Sequence, residues 1–376
     1  MSSKVNPKLF EELKAFGLRE EAARCFSCGQ CAGVCPLSEG SNAFPRKMVR
    51  YAQLGLKEEI LKSPEPWLCY YCGECSDKCP RQAEPGETMM AMRRYLTSLY
   101  DWTGIARLFY TSKSFEILAV ALVAALVGLA FYFFHGPVVT DRIALNTFAP
   151  NWFIEIADLV MAGVLSAVLL GNLYRCAQAV MEGKLTQVPL GLYLSQAKEL
   201  IIHGLTQKNF GQCEDRKQWW VHLLIMTGYS SVFLMVVAFL RWFQRDAVID
   251  PQWPTVSLIM TLVGYYATFA ILYGTTYALV GRIKKSKRPY RFSHATDWMF
   301  LILLQLTTFT GILVHLGILL QWPLFTYLIF VIHLMVAVPM LVLEVPFAKW
   351  AHLAYRPVVL FLTKVKATYQ EQQAAG

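Results

Sequence analysis

Charge is scarce in this 376-residue sequence. Asp, Glu, Lys and Arg make up 16%, against 55% hydrophobic and 14% aromatic residues. A soluble globular chain carries about 25% charge, so part of this one is expected in lipid. No G-x-G-x-x-G opens a helix after a strand and no P-loop is present, so a flavin, nicotinamide or nucleotide must be held by another chain. The opening MSSKVNPKLFEELKAFGLREEAARC lacks a basic start, an apolar run and a small-residue cleavage site. That argues against a secretory leader and for an N-terminus that stays in the cytoplasm. There is no internal repeat, and the one low-complexity stretch is the polar tail TYQEQQAAG.

What is present divides near residue 100. Before it, charged and amphipathic stretches surround eight of the ten cysteines. After it come six apolar runs, near 115–134, 152–173, 219–240, 255–280, 297–320 and 324–352. Each meets the roughly 20 residues needed to cross hydrocarbon. The last is long and contains Pro339 and Pro346, which predicts a kink. Tryptophans such as Trp152, Trp219, Trp253 and Trp322 mark the ends of several runs, as an interfacial belt does.

Lys and Arg crowd the loops 174–218 and 281–296, with six in each, while the loops on the other side hold only Arg142, Arg241 and Arg245. Positive charge marks the inner face. A multi-pass protein of the inner membrane is expected, with both termini and the cysteine region in the cytoplasm. The run GRIKKSKRPYR lies between two spans, so the net charge of +9 reads as topology rather than a nucleic-acid surface. No nucleic-acid partner is expected.

The cysteines fall in two identical patterns, CFSCGQCAGVCP from Cys25 and CYYCGECSDKCP from Cys69. Four soft thiolates wrapped around a cubane require such tight spacing, and the fourth cysteine, followed by Pro, ligates the other cluster in two-cluster proteins. One 4Fe-4S cluster is therefore assigned Cys25, Cys28, Cys31 and Cys79, and the other Cys69, Cys72, Cys75 and Cys35. Zinc sites would favour paired C-x2-C units with a longer spacer. The stretch SNAFPRKMVRYAQLGLKEEILKS between the patterns is helix-like, so the domain is helical rather than a strand-rich ferredoxin. Cys176 and Cys213 lie outside the patterns and are expected to be structural.

Imidazoles within spans are costly without a partner or a role. His222 and His352 are expected at one depth near the cytoplasmic face. His315 and His333 flank the turn at QWP, at depths of ~10 and ~15 Å. Two depth-matched pairs predict two b haems, each between two imidazoles. His333 and His352 lie ~28 Å apart on a straight helix and must serve different haems. His203, His294 and His135 are expected at interfaces or near propionates, and Arg241 and Arg245 either hold propionates or cap the interface.

With both cysteine runs ahead of a haem-type membrane region, the sequence resembles the membrane subunits of quinone-interacting membrane-bound oxidoreductases. These fuse a C-type iron-sulfur part and an E-type cytochrome b part that belong to separate chains in heterodisulfide reductases. WWVHLLIMTGY around His222 and PFAKWAH ending at His352 are similar to the end of the nitrate reductase gamma-type cytochrome b. There the last helix gives one ligand to each of two haems. Val232 stands where that pattern has a second histidine on the third span, which leaves His315, or more weakly Met235, as the substitute. The His333 to His352 spacing is also one residue longer, a difference that Pro346 or a bulge would absorb.

The expected fold is all-α. Residues 1–100 form a helical ferredoxin-type domain with two 4Fe-4S clusters, and 101–114 a linker. Residues 115–355 form a six-helix cytochrome b-like bundle, and 356–376 a cytoplasmic tail. The resemblance implies electron exchange between menaquinone or another quinone and soluble flavin and iron-sulfur subunits, toward adenylylsulfate reductase. Glu155 and Asp158 share a face of the second span and are candidate proton acceptors for quinol. Other readings stay open: a heterodisulfide-reductase-like or sulfite-reduction-linked subunit, or a haem-free iron-sulfur sensor.

Overall fold

The computed structural model describes residues 4–38 and 42–375, and every regular element among them is a helix. Ser41, the first residue of the helix-like stretch between the cysteine runs, lies outside the described residues.

The two cysteine loops fold alike because they share their sequence pattern. Ser27 and Tyr71 have positive φ, and Gly29 (φ 91°) and Gly73 (φ 94°) come next in the same register. This left-handed backbone, which suits glycine, folds the chain back at once. A one-turn helix succeeds each, Gln30–Gly33 and Glu74–Asp77. Between the loops run the helices Arg46–Leu54 and Lys57–Lys62, joined through Gly55. Pro85–Tyr100 is the central helix of this region, buried on nearly every side. Leu9, Leu13, Met48, Ile60 and Trp67 pack around it, against its own Met89, Met92 and Leu96.

Six helices are long and apolar enough to cross a membrane: Lys113–Phe134, Asn151–Val180, Arg216–Phe243, Pro254–Ile283, Ala295–Leu319 and Pro323–Phe347. They lie within a few residues of the expected runs, except that the second extends seven residues further. Their starts reflect local chemistry. The Ser112 hydroxyl accepts from Phe115 N (3.3 Å) ahead of the first, proline occupies an opening position of the fourth and sixth, and a capping box of His294 and Asp297 opens the fifth.

The sixth span is interrupted where its prolines predict a kink, and it ends short of residue 352. Regular helix ends at Pro339, a π turn occupies Met340–Glu344, and Ala348 breaks the helix at φ −125°, ψ −143°. Prolines 339 and 346 cannot donate backbone hydrogen bonds, which explains why the ladder loosens here. A π turn holds one residue more than an α turn and rotates the residues beyond it by ~100°. The extra residue lies between His333 and His352.

The expected tail is corrected. His352–Ala375 is a helix, with Tyr355, Val359, Leu362 and Val365 buried at helical spacing. This stripe packs into one core with Trp67, Tyr100, Cys176 and Val180, so the cysteine region and the bundle are continuous. Segment 101–114 is likewise packed rather than a free linker. It contains the helix Ile105–Thr111 with Phe109 and Tyr110 buried, and the Asp101 carboxylate accepts from Ala106 N (2.8 Å). The basic loop after the fourth span adds a clamp, because Arg288 reaches Asp77 (2.6 Å) and Glu84 (2.7 Å).

Candidate functional site

The eight motif cysteines gather in two hollows. Cys25, Cys28, Cys31 and Cys79 line one, and Cys35, Cys69, Cys72 and Cys75 line the other. The fourth cysteine of each run thus crosses to the opposite set. Burial pushes the thiols of Cys31 and Cys35 up, to about 11 and about 12. Thiols so disfavoured as bare anions lose their protons to solvent only as a cation takes the proton's place on sulfur, so metal binding here releases protons. Two sets of four convergent thiols fit two cubane clusters. Cys213, expected to be merely structural, lines the second hollow, and its Sγ lies within 4.8 Å of Cys72 Sγ and a Glu74 oxygen.

On the membrane side of these hollows is a cavity of about 190 Å³, partly open at its mouth. His222, from the third span, and His352, opening the last helix, face each other there with ring centroids 6.2 Å apart. Each imidazole has its Nδ1 committed. His222 Nδ1 donates to the Gln207 side-chain oxygen (2.8 Å), and His352 Nδ1 to the Lys349 carbonyl (2.6 Å). Both partners are acceptors, so the proton sits on Nδ1 and the Nε2 lone pair is free, the arrangement that orients metal-bound histidines. Two imidazoles bonded to one metal at ~2 Å would have centroids ~6 Å apart, which matches. Burial and the Arg356 charge hold His352 well below its usual value, and therefore neutral.

The lining of the cavity suits a flat apolar group carrying acidic arms. Trp67, Val221, Ile225, Phe300 and Leu301 supply the walls, and Arg93, Arg94, Arg282, Lys349 and Arg356 supply positive charge. Burial and the neighbouring Arg356 push Arg93 down to about 9, and burial pushes Lys349 down to about 8 against the pull of Asp297. Asp297 pairs with both Arg94 (3.3 Å) and Lys349 (2.6 Å). This buried triad ties the central helix of the cysteine region to the fifth span and to the turn before His352.

Two direct links join the cavity to the second hollow. One turn beyond His352, Arg356 donates to the carbonyls of Trp67 and Cys69, both at 2.9 Å. On the other side Phe210 meets the His222 ring edge-on and stacks on Tyr70, which sits between Cys69 and Cys72.

The second histidine pair does not form. His315 bonds Tyr265 (2.9 Å), and His333 bonds Thr310 (2.9 Å) beside Gly311. No ring contact joins the two among the described residues. Equal depth is not equal azimuth, and the two rings point to different neighbours. Met235 is buried on the third span. Glu155 is exposed and Asp158 half-buried, both near the end of the second span away from the cysteines, with no hydrogen bond or ion pair among the described residues. Arg245 caps the interface, donating to Ser257 O (2.8 Å) and Thr261 Oγ1 (3.1 Å), and Arg241 is exposed. His203 contacts the Tyr70 hydroxyl (3.0 Å), His294 caps the fifth span, and His135 stacks on Phe148.

Sequence reasoning missed Gln207, Lys349, Arg356 and the Asp297 triad. Only the Lys and Arg within seven residues of His352 signalled any of them.

Comparison with known proteins agrees with the cysteine geometry. Residues 21–83 match the family described as 4Fe-4S dicluster domain. The chain carries a 4Fe-4S dicluster domain. A heterodisulfide reductase C-like protein of Archaeoglobus profundus is 36% identical over 99 residues, covering 26% of this chain and 52% of that protein. The C subunit of the H(2):CoB-CoM heterodisulfide,ferredoxin reductase of Methanothermobacter thermautotrophicus is 35% identical over 64 residues, 17% of this chain and 34% of that protein. The iron-sulfur C subunit of the CoB--CoM heterodisulfide reductase of Methanopyrus kandleri is 35% identical over 68 residues, 18% of this chain and 33% of that protein. The chain thus spans about half of the first relative and about a third of the other two.

Proposed function

We propose that this chain is a membrane electron-transfer subunit. Its cysteines hold two 4Fe-4S clusters, with Cys25, Cys28, Cys31 and Cys79 on one and Cys35, Cys69, Cys72 and Cys75 on the other. His222 and His352 hold one haem b, rather than the two haems expected. The haem and clusters supply one-electron carriers within a single chain. The observation that carries the reading is the facing pair of imidazoles, each with Nδ1 tied to an oxygen, opening on a basic-rimmed cavity beside the second cysteine set. Gln207 and Lys349 orient the two rings, and the arginines offset acidic arms.

On this reading the chain exchanges electrons between a membrane quinone and soluble flavin and iron-sulfur partners of the heterodisulfide-reductase type. The Lys and Arg bias of the loops supports a cytoplasmic side for the clusters and both termini. The resemblance to quinone-interacting oxidoreductases makes adenylylsulfate reductase the final acceptor. Similarity of the first quarter to the iron-sulfur chains of heterodisulfide reductases favours a second reading in which the partner reduces a disulfide.

The test is a reduced-minus-oxidised absorbance spectrum with a pyridine haemochrome assay on protein purified from its membrane, beside iron and acid-labile sulfide. About one haem and about eight non-haem irons are expected. His222→Ala and His352→Ala should each abolish the same absorbance, while His333→Ala and His315→Ala leave it. Clusters without haem would replace the conduit with an iron-sulfur sensor.

A further inference from the structure

Two carboxyl groups lie buried outside the cavity. Glu116 lies in the first turn of the first span, and Glu344 closes the π turn of the sixth, both at the cysteine-side end of the bundle. Their exposures are 1% and 0%. Glu116 Oε1 and both oxygens of Glu344 have no hydrogen-bond partner among the described residues, and the first span packs on the π turn so that the two buried carboxyl groups are neighbours. Two ionised carboxylates cannot bond, because both only accept. They would also place two like charges in contact away from water, which is among the most costly arrangements in a membrane domain. One proton removes both problems, since it turns one group into a donor and leaves a single negative charge shared by the pair.

The surroundings neither neutralise the pair nor isolate it. Asp297 on the fifth span faces it with like sign, although that charge is already matched by Arg94 and Lys349. Tyr110, from the helix before the first span, lies near Glu344 and donates to the Ala348 carbonyl (2.8 Å). Asp297, Lys349 and Tyr110 also line the cavity of His222 and His352. The pair therefore sits directly behind the cavity wall, and an electron placed in the cavity is felt there with little screening. The π turn sets Glu344 in this position, and such turns recur at functional sites.

We propose that Glu116 and Glu344 form a proton-binding site that shares one proton at rest and takes up a second when an electron settles in the adjoining cavity. The second proton comes from water on the cysteine side, and the electron comes from a quinol or, in the test, from dithionite. Uptake balances the added negative charge and leaves two neutral carboxylic acids. The resting proton rests on the burial, missing partners and packing of the two carboxyl groups, whereas the coupled uptake rests on the haem reading.

The test is infrared spectroscopy of the intact protein in membranes at pH 8, with and without 13C-labelled glutamate, oxidised and then reduced by dithionite. The visible spectrum is recorded in the same cell. A glutamate carboxylic-acid C=O band is expected in the oxidised protein, sensitive to the label and to D2O, with a further gain on reduction. The gain on reduction should be absent from the E116Q/E344Q variant, and the oxidised band should fall to the part that Glu87 supplies, which E87Q removes and E116Q/E344Q does not. No glutamate C=O band in oxidised wild type would overturn the site without need of any variant. A static band while haem reduces would overturn the coupling. A visible spectrum without haem would remove the haem reading, and the oxidised band would still decide the resting proton.

Discussion

At the scale of single residues, the site is specified by small commitments. His222 and His352 present free Nε2 atoms because Gln207 and the Lys349 carbonyl take the Nδ1 protons. Glu87, 4% exposed on the central helix, supplies a pH test. Burial raises its carboxyl from 4.5 to about 8. Between those values the folded protein keeps a proton that the unfolded chain has lost, so stability falls as pH rises through this window and is unaffected by the group below it. The full effect is about 3–5 kcal/mol. Glu87→Gln should flatten the fall in the thermal unfolding midpoint between pH 5 and 8, and an unchanged slope would assign the effect elsewhere. The cysteines were legible because cluster spacing is local along the chain. Gln207, Arg356 and Glu344 were not, because each acquires its meaning from a partner distant along the chain or from burial that no neighbouring residue announces.

At the scale of elements, the six spans could be read from length and hydropathy, but the end of the sixth could not. Its prolines warned of a bend without giving its form, and a π turn with a break at Ala348 resolved it. The last helix was hidden for a different reason. TYQEQQAAG is polar, and the buried stripe Tyr355, Val359, Leu362 and Val365 lies before it, where the sequence reads as the end of a span and a tail. His315 and His333 show the limit of depth arguments, because rise along a helix fixes height and leaves rotation to packing. Deleting Leu341 would turn the π turn into an α turn, rotate His352 by ~100° and draw it back by ~1.5 Å. The expected result is loss of the haem absorbance with both cluster signals retained in EPR. Retained haem would show that the turn is not what aims His352.

At the scale of the whole molecule, the cysteine region and the bundle act as one body. The shared core, the Asp297 triad and the Arg288 clamp hold the second cysteine set against the cavity. The basic loop after the fourth span also fastens this contact, through Arg288 to Asp77 and Glu84. Continuity between lipid-embedded helices and clusters is what an electron path within one chain requires. The most direct measurement is to reduce the clusters with dithionite in proteoliposomes, remove the excess, add a menaquinone analogue and track the cluster EPR signals by rapid freezing. In wild type the signals should decay as quinone is reduced, and in His352→Ala they should persist on the same timescale. Equal decay in both would show that electrons reach quinone without the histidine pair, and would contradict the account.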